Sequence, residues 1–223
     1  MDVLYQLRQF PILASLTPQE LDELAHLAEM RAVPKHTFIY MADEPSDYLC
    51  FLVQGSVKVG IYTPDGREIV RSFQHPYTIF GEMGLSGESK RAEFASSMNQ
   101  NVRFISIKTA DFRPFLERNF MLAQAMFNHL GERVRRAERH WESLLCKDVR
   151  SRIVDFLKET AFQRGRQVGF ETLLKHGFTQ QDLANLIGAS RQTVTSILNE
   201  LRKSNLIYFN RTSILIRDLN KLN

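Results

Sequence analysis

Residues 179–204 read TQQDLANLIGASRQTVTSILNELRKS, and this stretch decides the organisation of the chain. Thr179 is a good helix N-cap with Asp182 three positions later, and apolar residues then recur at helical spacing as far as Gly188. Ser190 caps a second helix whose apolar residues also follow helical spacing. Two helices joined by a three-residue turn have the spacing of a helix-turn-helix, whose second helix enters the major groove of DNA.

A packed pair of amphipathic helices is the alternative to this DNA-binding motif, and two features favour the motif. The exposed face of the second helix holds hydrogen-bonding side chains and no acidic ones. The sequence LIYFNRTSILI (206–216) then alternates around Asn210 and Arg211, which predicts the β-hairpin wing of a winged helix. The candidate DNA contacts are Ser190, Arg191, Gln192, Thr195, Ser196, Asn199 and Arg211.

The composition of the 223 residues limits the function further. Residues 1–139 contain 16 Lys+Arg and 17 Asp+Glu, whereas residues 140–223 contain 13 and 8, so the positive charge lies with the helix-turn-helix. Two cysteines, no signal-peptide pattern and no run of 18 apolar residues predict a cytoplasmic protein that does not bind membranes. We find no metal-ligand cluster and no nucleophile–base arrangement, so we expect neither metal nor catalytic residues and not an enzyme.

Between about residues 31 and 107 the apolar period changes from 3.6 to 2. Turn residues separate six short strand candidates, a pattern that predicts a β-sandwich or barrel with helices on either side. The candidates are 38–40, 49–53, 57–61, 69–73, 94–97 and 102–107.

A second repeat extends from about Asp111 to Leu145, where apolar residues alternate at steps of four and three. A heptad pattern of this length favours a long helix that pairs with the same helix of a second subunit. The alternative is a helix packed on its own domain, and basic residues such as Arg133 flank the apolar face. The predicted dimerisation residues are Phe120, Ala123, Phe127, Leu130, Val134, Ala137 and Trp141.

Three segments together resemble the CRP/FNR family of bacterial transcription regulators. They are FLVQGSVKVGIYTPDGREIVRSF (51–73), FGEMGLSGESKRAEFAS (80–96) and DVRSRIVDFL (148–157). The resemblance covers almost the whole chain and implies an α+β architecture of the cyclic-nucleotide-binding type. The expected parts are a β-roll sensor domain of jelly-roll type with flanking helices (1–110), a long dimerisation helix (111–145) and a winged helix-turn-helix domain (146–223).

The resemblance also implies a ligand site at Gly81, Glu82 and Arg91. In the family the glutamate at this place takes the ribose 2′-hydroxyl of a cyclic nucleotide and the arginine takes its phosphate. Here Ala92 stands where a hydroxyl residue is usual, and Glu93 follows it, which weighs against cyclic AMP. The sequence leaves two interpretations open: a bound cyclic nucleotide, or Glu82 and Arg91 paired with each other or with nearby loops.

These patterns predict a homodimeric regulator that reads a palindromic operator through the helix 190–204, controlled by an unidentified signal at the β-roll. The alternative is a regulatory module that binds a cyclic nucleotide or another small ligand, with DNA binding secondary. The expected partners are double-stranded DNA, a second copy of the chain and, for an activator, RNA polymerase.

Overall fold

A computed structural model describes residues 2–222, and the chain divides into two compact units between Arg135 and Arg136. The first unit begins with helices α1 (Val3–Leu7) and α2 (Pro18–His26) and a 3₁₀ turn (Pro11–Leu13). Eight strands follow: β1 (Ala28–Val33), β2 (Phe38–Tyr40), β3 (Tyr48–Gln54), β4 (Val57–Tyr62), β5 (Glu68–Gln74), β6 (Ile79–Phe80), β7 (Phe94–Ser97) and β8 (Val102–Lys108). A second 3₁₀ turn (Glu82–Ser86) follows β6, and helices α3 (Thr109–Arg118) and α4 (Phe120–Cys146) follow β8.

The eight strands form two antiparallel four-stranded sheets, in the orders β1-β8-β3-β6 and β2-β7-β4-β5. The five central residues of β3, residues 49–53, are apolar and buried because both faces of the strand are covered. Cys50 and Leu52 belong to a core that also contains residues of the second sheet, such as Val59. Phe51 and Val53 belong to a core that contains residues of the flanking helices. The arrangement confirms the predicted α+β fold with a sheet-on-sheet sensor domain.

The prediction of one helix over residues 111–145 is wrong, since the chain breaks at Asn119. Asn119 has φ −125° and ψ 95°, outside the helical region. Its side-chain oxygen accepts a hydrogen bond from the backbone N–H of Leu122 at 3.0 Å, so it caps the start of α4. The division into two compact units falls inside α4, and the domain boundary near residue 145 stays a prediction.

The second unit contains the end of α4 and a winged helix-turn-helix. Strands β9, β10, β11 and β12 form one antiparallel sheet in the order β11-β12-β10-β9. The hairpin β11–β12 confirms the predicted wing. The elements are α5 (Val149–Arg164), β9 (Arg166–Val168), β10 (Glu171–Lys175), α6 (Gln180–Ile187), α7 (Arg191–Lys203), β11 (Ile207–Phe209) and β12 (Ser213–Ile216).

Candidate DNA-binding surface and sensor site

The helix-turn-helix is held at its start by a complete capping box. The backbone N–H of Asp182 donates to the Thr179 hydroxyl at 3.1 Å, and the Asp182 carboxylate accepts from the backbone N–H of Thr179 at 2.8 Å. Gly188 ends α6 with φ +72°, a conformation that favours glycine. Ala184 is fully buried, and the buried face of α7 consists of Val194, Leu198 and Leu201. This packing leaves the opposite face of α7 exposed.

The structure places the predicted DNA contacts on that exposed face and on the wing. Ser190, Arg191, Gln192, Ser196 and Arg211 are exposed, and Thr195 and Asn199 are half-buried. Ser190 also caps α7, because its hydroxyl accepts from the backbone N–H of Thr193 at 3.0 Å.

Two contacts on this surface are not predicted from the sequence. The Thr195 hydroxyl lies 2.6 Å from the side-chain oxygen of Gln180, so it links the start of α6 to α7. Glu200, the acidic residue of α7, accepts from Arg150 on α5 at 2.5 Å. That ion pair partly neutralises a charge that would repel phosphate.

The predicted ligand site lies at the turn that follows β6, in the first unit; it is called the candidate sensor site below. Gly81 has φ +72°, and a Cβ there would lie 2.9 Å from a guanidinium nitrogen of Arg91. Arg91 is 4% exposed and donates to the main-chain carbonyl of Gly81 at 2.7 Å and to that of Tyr48. Its guanidinium carbon lies 4.2 Å from the centre of the Tyr40 ring, in a cation–π contact. Two of its three guanidinium nitrogens are therefore already used inside the protein.

Glu82, which is 1% exposed, has different partners from Arg91. Its Oε1 accepts from Arg133 at 2.9 Å and lies 3.2 Å from Nε2 of His129, and both partners are on α4. Burial acts to raise the pKa of Glu82, but the hydrogen bond to His129 and the charge of Arg133 outweigh it and lower the pKa to about 2. Glu82 is thus a buried carboxylate that stays ionised.

Glu93 is a second buried carboxylate in the same region, with 3% exposure. Arg133 donates to its two oxygens at 2.8 and 2.7 Å, and Arg71 donates to it at 3.2 Å. Burial acts to lower the pKa of Arg133, but Glu82 and Glu93 together raise it. The interpretation of Arg133 as a residue that flanks the apolar face of α4 is therefore incomplete, since it bridges two carboxylates.

Three buried polar atoms of this site have no hydrogen-bond partner within the described part of the chain. They are the hydroxyl of Tyr40, Oε2 of Glu82 and Nε of Arg91. Unsatisfied buried polar atoms are uncommon, and they mark a place where water or a ligand can bind. The sequence identifies Gly81, Glu82 and Arg91, but it does not identify Tyr40 or Arg133.

The predicted dimerisation residues lie along one side of α4. Phe120, Phe127, Val134 and Trp141 are 57–77% exposed, Ala137 is exposed, and Ala123 and Leu130 are half-buried. A different side of the same helix, with Leu122 and Met126, belongs to the core of the first unit. The heptad face is therefore not the face that packs on the β-roll.

No helix within residues 2–222 is long and apolar enough to cross a bilayer. No group of three or more His, Cys, Asp or Glu side chains in that range could hold a metal ion.

Comparison with known proteins agrees with this geometry. A family model for the cyclic nucleotide-binding domain matches residues 30–119, and one for the Crp-like helix-turn-helix domain matches residues 151–223. A "CRP-like cAMP-activated global transcriptional regulator" of Mycobacterium tuberculosis is 29% identical over 189 residues, which are 85% of this chain and 84% of the relative. The "global nitrogen regulator" of a Nostoc species is 26% identical over 179 residues, 80% of each chain. The structure of FixK2 from Bradyrhizobium japonicum has the same fold, with a TM-score of 0.79, 22% identity and coverage of 87% of this chain and 95% of that one.

The fold and the exposed helix-turn-helix define a DNA-binding transcription regulator with a sensor domain of the cyclic-nucleotide-binding type. The chain belongs to the CRP/FNR family. The two relatives named above are both described as global regulators, and the one from Mycobacterium tuberculosis as a transcriptional regulator.

Proposed function

We propose that this regulator is a homodimer that reads a palindromic operator through α7, under the control of a signal received at the β-roll. The exposed apolar repeat of α4 supports the dimer most directly. Four large side chains of this repeat are more than half exposed, although Leu122 and Met126, on a different side of the same helix, are buried in a core. A second copy of α4 would cover this stripe with a matching heptad face.

The start of α7 supports a role in base recognition. Arg191 and Gln192 are exposed in its first turn, where groove-reading residues usually lie. Arginine can bind guanine through two hydrogen bonds, and glutamine can bind adenine in the same way. Ser196 and Asn199 are the candidate contacts further along α7. Thr195, Ser190 and Arg211 suit phosphate contacts, which position a protein without specifying sequence.

Selection of bound sequences from random DNA tests the proposed function. We expect a palindrome whose half-sites are about one helical turn, roughly 10 base pairs, apart. Enrichment of a single unpaired half-site would contradict the dimer, and no enrichment at any salt concentration would contradict sequence-specific binding.

The substitution Arg191→Ala tests the assignment of base contacts. We expect it to relax specificity at one half-site position by about 1–3 kcal/mol, because a bidentate contact to guanine is lost. Lys203→Ala is the matched control, since it removes one exposed positive charge from the other end of α7. If Arg191→Ala and Lys203→Ala weaken all sequences equally, Arg191 contacts phosphate and not a base.

A second candidate function is a ligand-binding module in which DNA binding is secondary. The unpartnered atoms of Tyr40, Glu82 and Arg91 favour it, as does the match to a cyclic nucleotide-binding domain. Titration calorimetry with cyclic AMP and cyclic GMP tests this second candidate function. The absence of a heat of binding would contradict a cyclic nucleotide as the ligand. If the regulator is an activator, RNA polymerase is a further partner. The regulator and the polymerase would then bind DNA together in the cytoplasm.

A further inference from the structure

Gln180, the first residue of α6, contacts the side of α7 that carries candidate DNA contacts. The hydroxyl of Thr195 donates to Oε1 of Gln180 at 2.6 Å. Arg191, Thr195 and Asn199 are spaced four residues apart, so their side chains lie along one side of α7. Gln180 therefore lies beside the middle of a row of candidate DNA contacts, although no local sequence pattern links it to α7.

The hydroxyl of Thr195 has no hydrogen left for DNA. A threonine hydroxyl carries one hydrogen. Two acceptors already compete for it, Oε1 of Gln180 at 2.6 Å and the main-chain carbonyl of Arg191 at 2.8 Å. Phosphate oxygens accept hydrogen bonds, so a phosphate contact needs a donor on the protein. Thr195 can therefore act on a phosphate only through the residue that it holds.

The side-chain amide of Gln180 supplies such a donor. Its oxygen accepts from Thr195, whereas its nitrogen, which carries two hydrogens, has no hydrogen-bond partner among residues 2–222. Gln180 and Thr195 are both half-buried, and the bond between them restrains the glutamine side chain. A restrained donor loses less conformational entropy when it binds, so Gln180 is prepared to bind an acceptor.

The place of Gln180 in the helix-turn-helix indicates that the acceptor is a phosphate and not a base. In this motif the second helix lies in the major groove, whereas the first helix crosses the sugar–phosphate backbone. Gln180 is at the N-terminus of that first helix, where the helix dipole also favours an anion.

We propose that Gln180 donates a hydrogen bond from its side-chain amide to a phosphate of the DNA, and that Thr195 is the positioning residue that holds it. The link joins a backbone contact on α6 to the base contacts on α7. It thereby fixes the register in which Arg191 meets the bases. The inference rests on the proposed function, namely DNA binding with α7 in the major groove.

Fluorescence anisotropy of the full-length protein tests the phosphate contact with two labelled duplexes, the selected operator and a scrambled sequence. Gln180→Ala should weaken binding to both duplexes about tenfold, because a phosphate contact does not depend on sequence. Arg191→Ala should weaken binding to the operator far more than binding to the scrambled duplex. Gln167→Ala is the matched control and should bind as the wild type does. It removes an exposed glutamine of the second unit whose amide nitrogen donates to the carbonyl of Gly169 at 3.1 Å.

Salt dependence separates a phosphate contact from a merely structural role of Gln180. A neutral amide releases no counterion, whereas a lysine that neutralises a phosphate steepens the dependence of log K on log salt concentration by about 0.9 for each contact. Gln180→Lys should therefore bind both duplexes at least as tightly as the wild type at low salt, and with the steeper slope. If Gln180 only held α7 in place, the lysine would weaken binding as the alanine does.

A double-mutant cycle tests the role of Thr195. Thr195→Val removes the hydroxyl and keeps the shape of the side chain, and it should weaken binding about threefold because Gln180 is no longer restrained. The double variant Gln180→Ala/Thr195→Val should bind like Gln180→Ala alone, since Thr195 acts only through Gln180.

Three results would overturn the proposal. The first is a folded Gln180→Ala, checked by circular dichroism, that binds the scrambled duplex within twofold of the wild type. The second is a Gln180→Lys that binds no more tightly than Gln180→Ala at low salt. The third is a double variant whose loss of affinity equals the product of the two single losses.

Two provisions keep the test decisive. If Gln180→Ala does not fold, Gln180→Glu replaces it, because the glutamate keeps an acceptor for Thr195 and suits a helix N-terminus. It should weaken binding to both duplexes by more than tenfold, and unchanged binding would overturn the proposal. If random-DNA selection yields no operator, the sequence-specific function is wrong, and the scrambled duplex still decides whether Gln180 contacts phosphate.

Discussion

The substitution Arg133→Ala leaves Glu82 and Glu93 buried and removes the guanidinium that bonds them both. Removing one partner of a buried ion pair typically destabilises a protein by about 3–5 kcal/mol, because the other charge stays buried without compensation. The Arg133 side chain is 35% exposed, so water can partly replace it. We therefore expect the free energy of unfolding of the first unit to fall by about 3 kcal/mol at pH 7.

The loss of unfolding free energy in Arg133→Ala should depend on pH, and the pKa of Glu82 determines whether the loss grows or shrinks as the pH falls. This pKa is lowered from an ordinary value of 4.5 to about 2 in the folded protein. A group whose pKa is lower in the folded state contributes its full stabilisation above the unfolded value and loses it as the pH falls through the folded value. The difference between the wild type and Arg133→Ala should therefore be full above about pH 5 and shrink steadily toward pH 2.

Urea denaturation followed by circular dichroism at several pH values measures this difference, and hydrogen exchange of β-roll peptides assigns it to the first unit. Arg135→Ala is the matched control, because Arg135 forms a surface pair with Glu132 at 3.0 Å on the same helix. Exposed pairs contribute below about 1 kcal/mol. The reasoning is refuted if the two variants unfold at the same urea concentration at pH 7, or if their difference stays constant down to pH 3.

Two further predictions concern the proposed dimer helix and the helix-turn-helix. Phe127→Glu places a charge in the exposed apolar face of α4, and we expect sedimentation velocity to show monomers in place of the proposed dimer. The control Gln124→Glu changes another exposed residue of α4 and should leave the dimer intact. A dimeric Phe127→Glu would place the interface elsewhere. Thr179→Ala removes the hydroxyl that caps α6 and should destabilise the second unit by about 1 kcal/mol. The loss of stability is measured as a lower melting temperature. An unchanged melting temperature would show that the Asp182 half of the capping box is sufficient.

The parts of the fold that are predicted from the sequence are those with local signals. The ends of α6 follow from Thr179 and Gly188, whose capping and left-handed conformations are both present. The break at Asn119 is not predicted, because the apolar repeat continues through it and periodicity does not detect a cap. Strand β1 (Ala28–Val33) is also missed, since its pairing with β8 is a tertiary contact that overrides the helix-forming residues within it.

The candidate sensor site shows the same limit. The resemblance identifies Gly81, Glu82 and Arg91, but not what fills the space around them. His129 and Arg133, the partners of the carboxylates on α4, are far away in sequence, and no local pattern links them to Glu82 and Glu93. The four-residue spacing of His129 and Arg133 was the available signal, because it places both side chains on one side of a helix.

The bridge between Glu93 and Arg133 constrains how this sensor can evolve. The two residues are 40 positions apart; loss of Arg133 leaves Glu93 without its closest charged partner, whereas loss of Glu93 leaves Arg133 paired with Glu82 alone. Mutations at the two positions should therefore be epistatic, each tolerated better in the presence of the other.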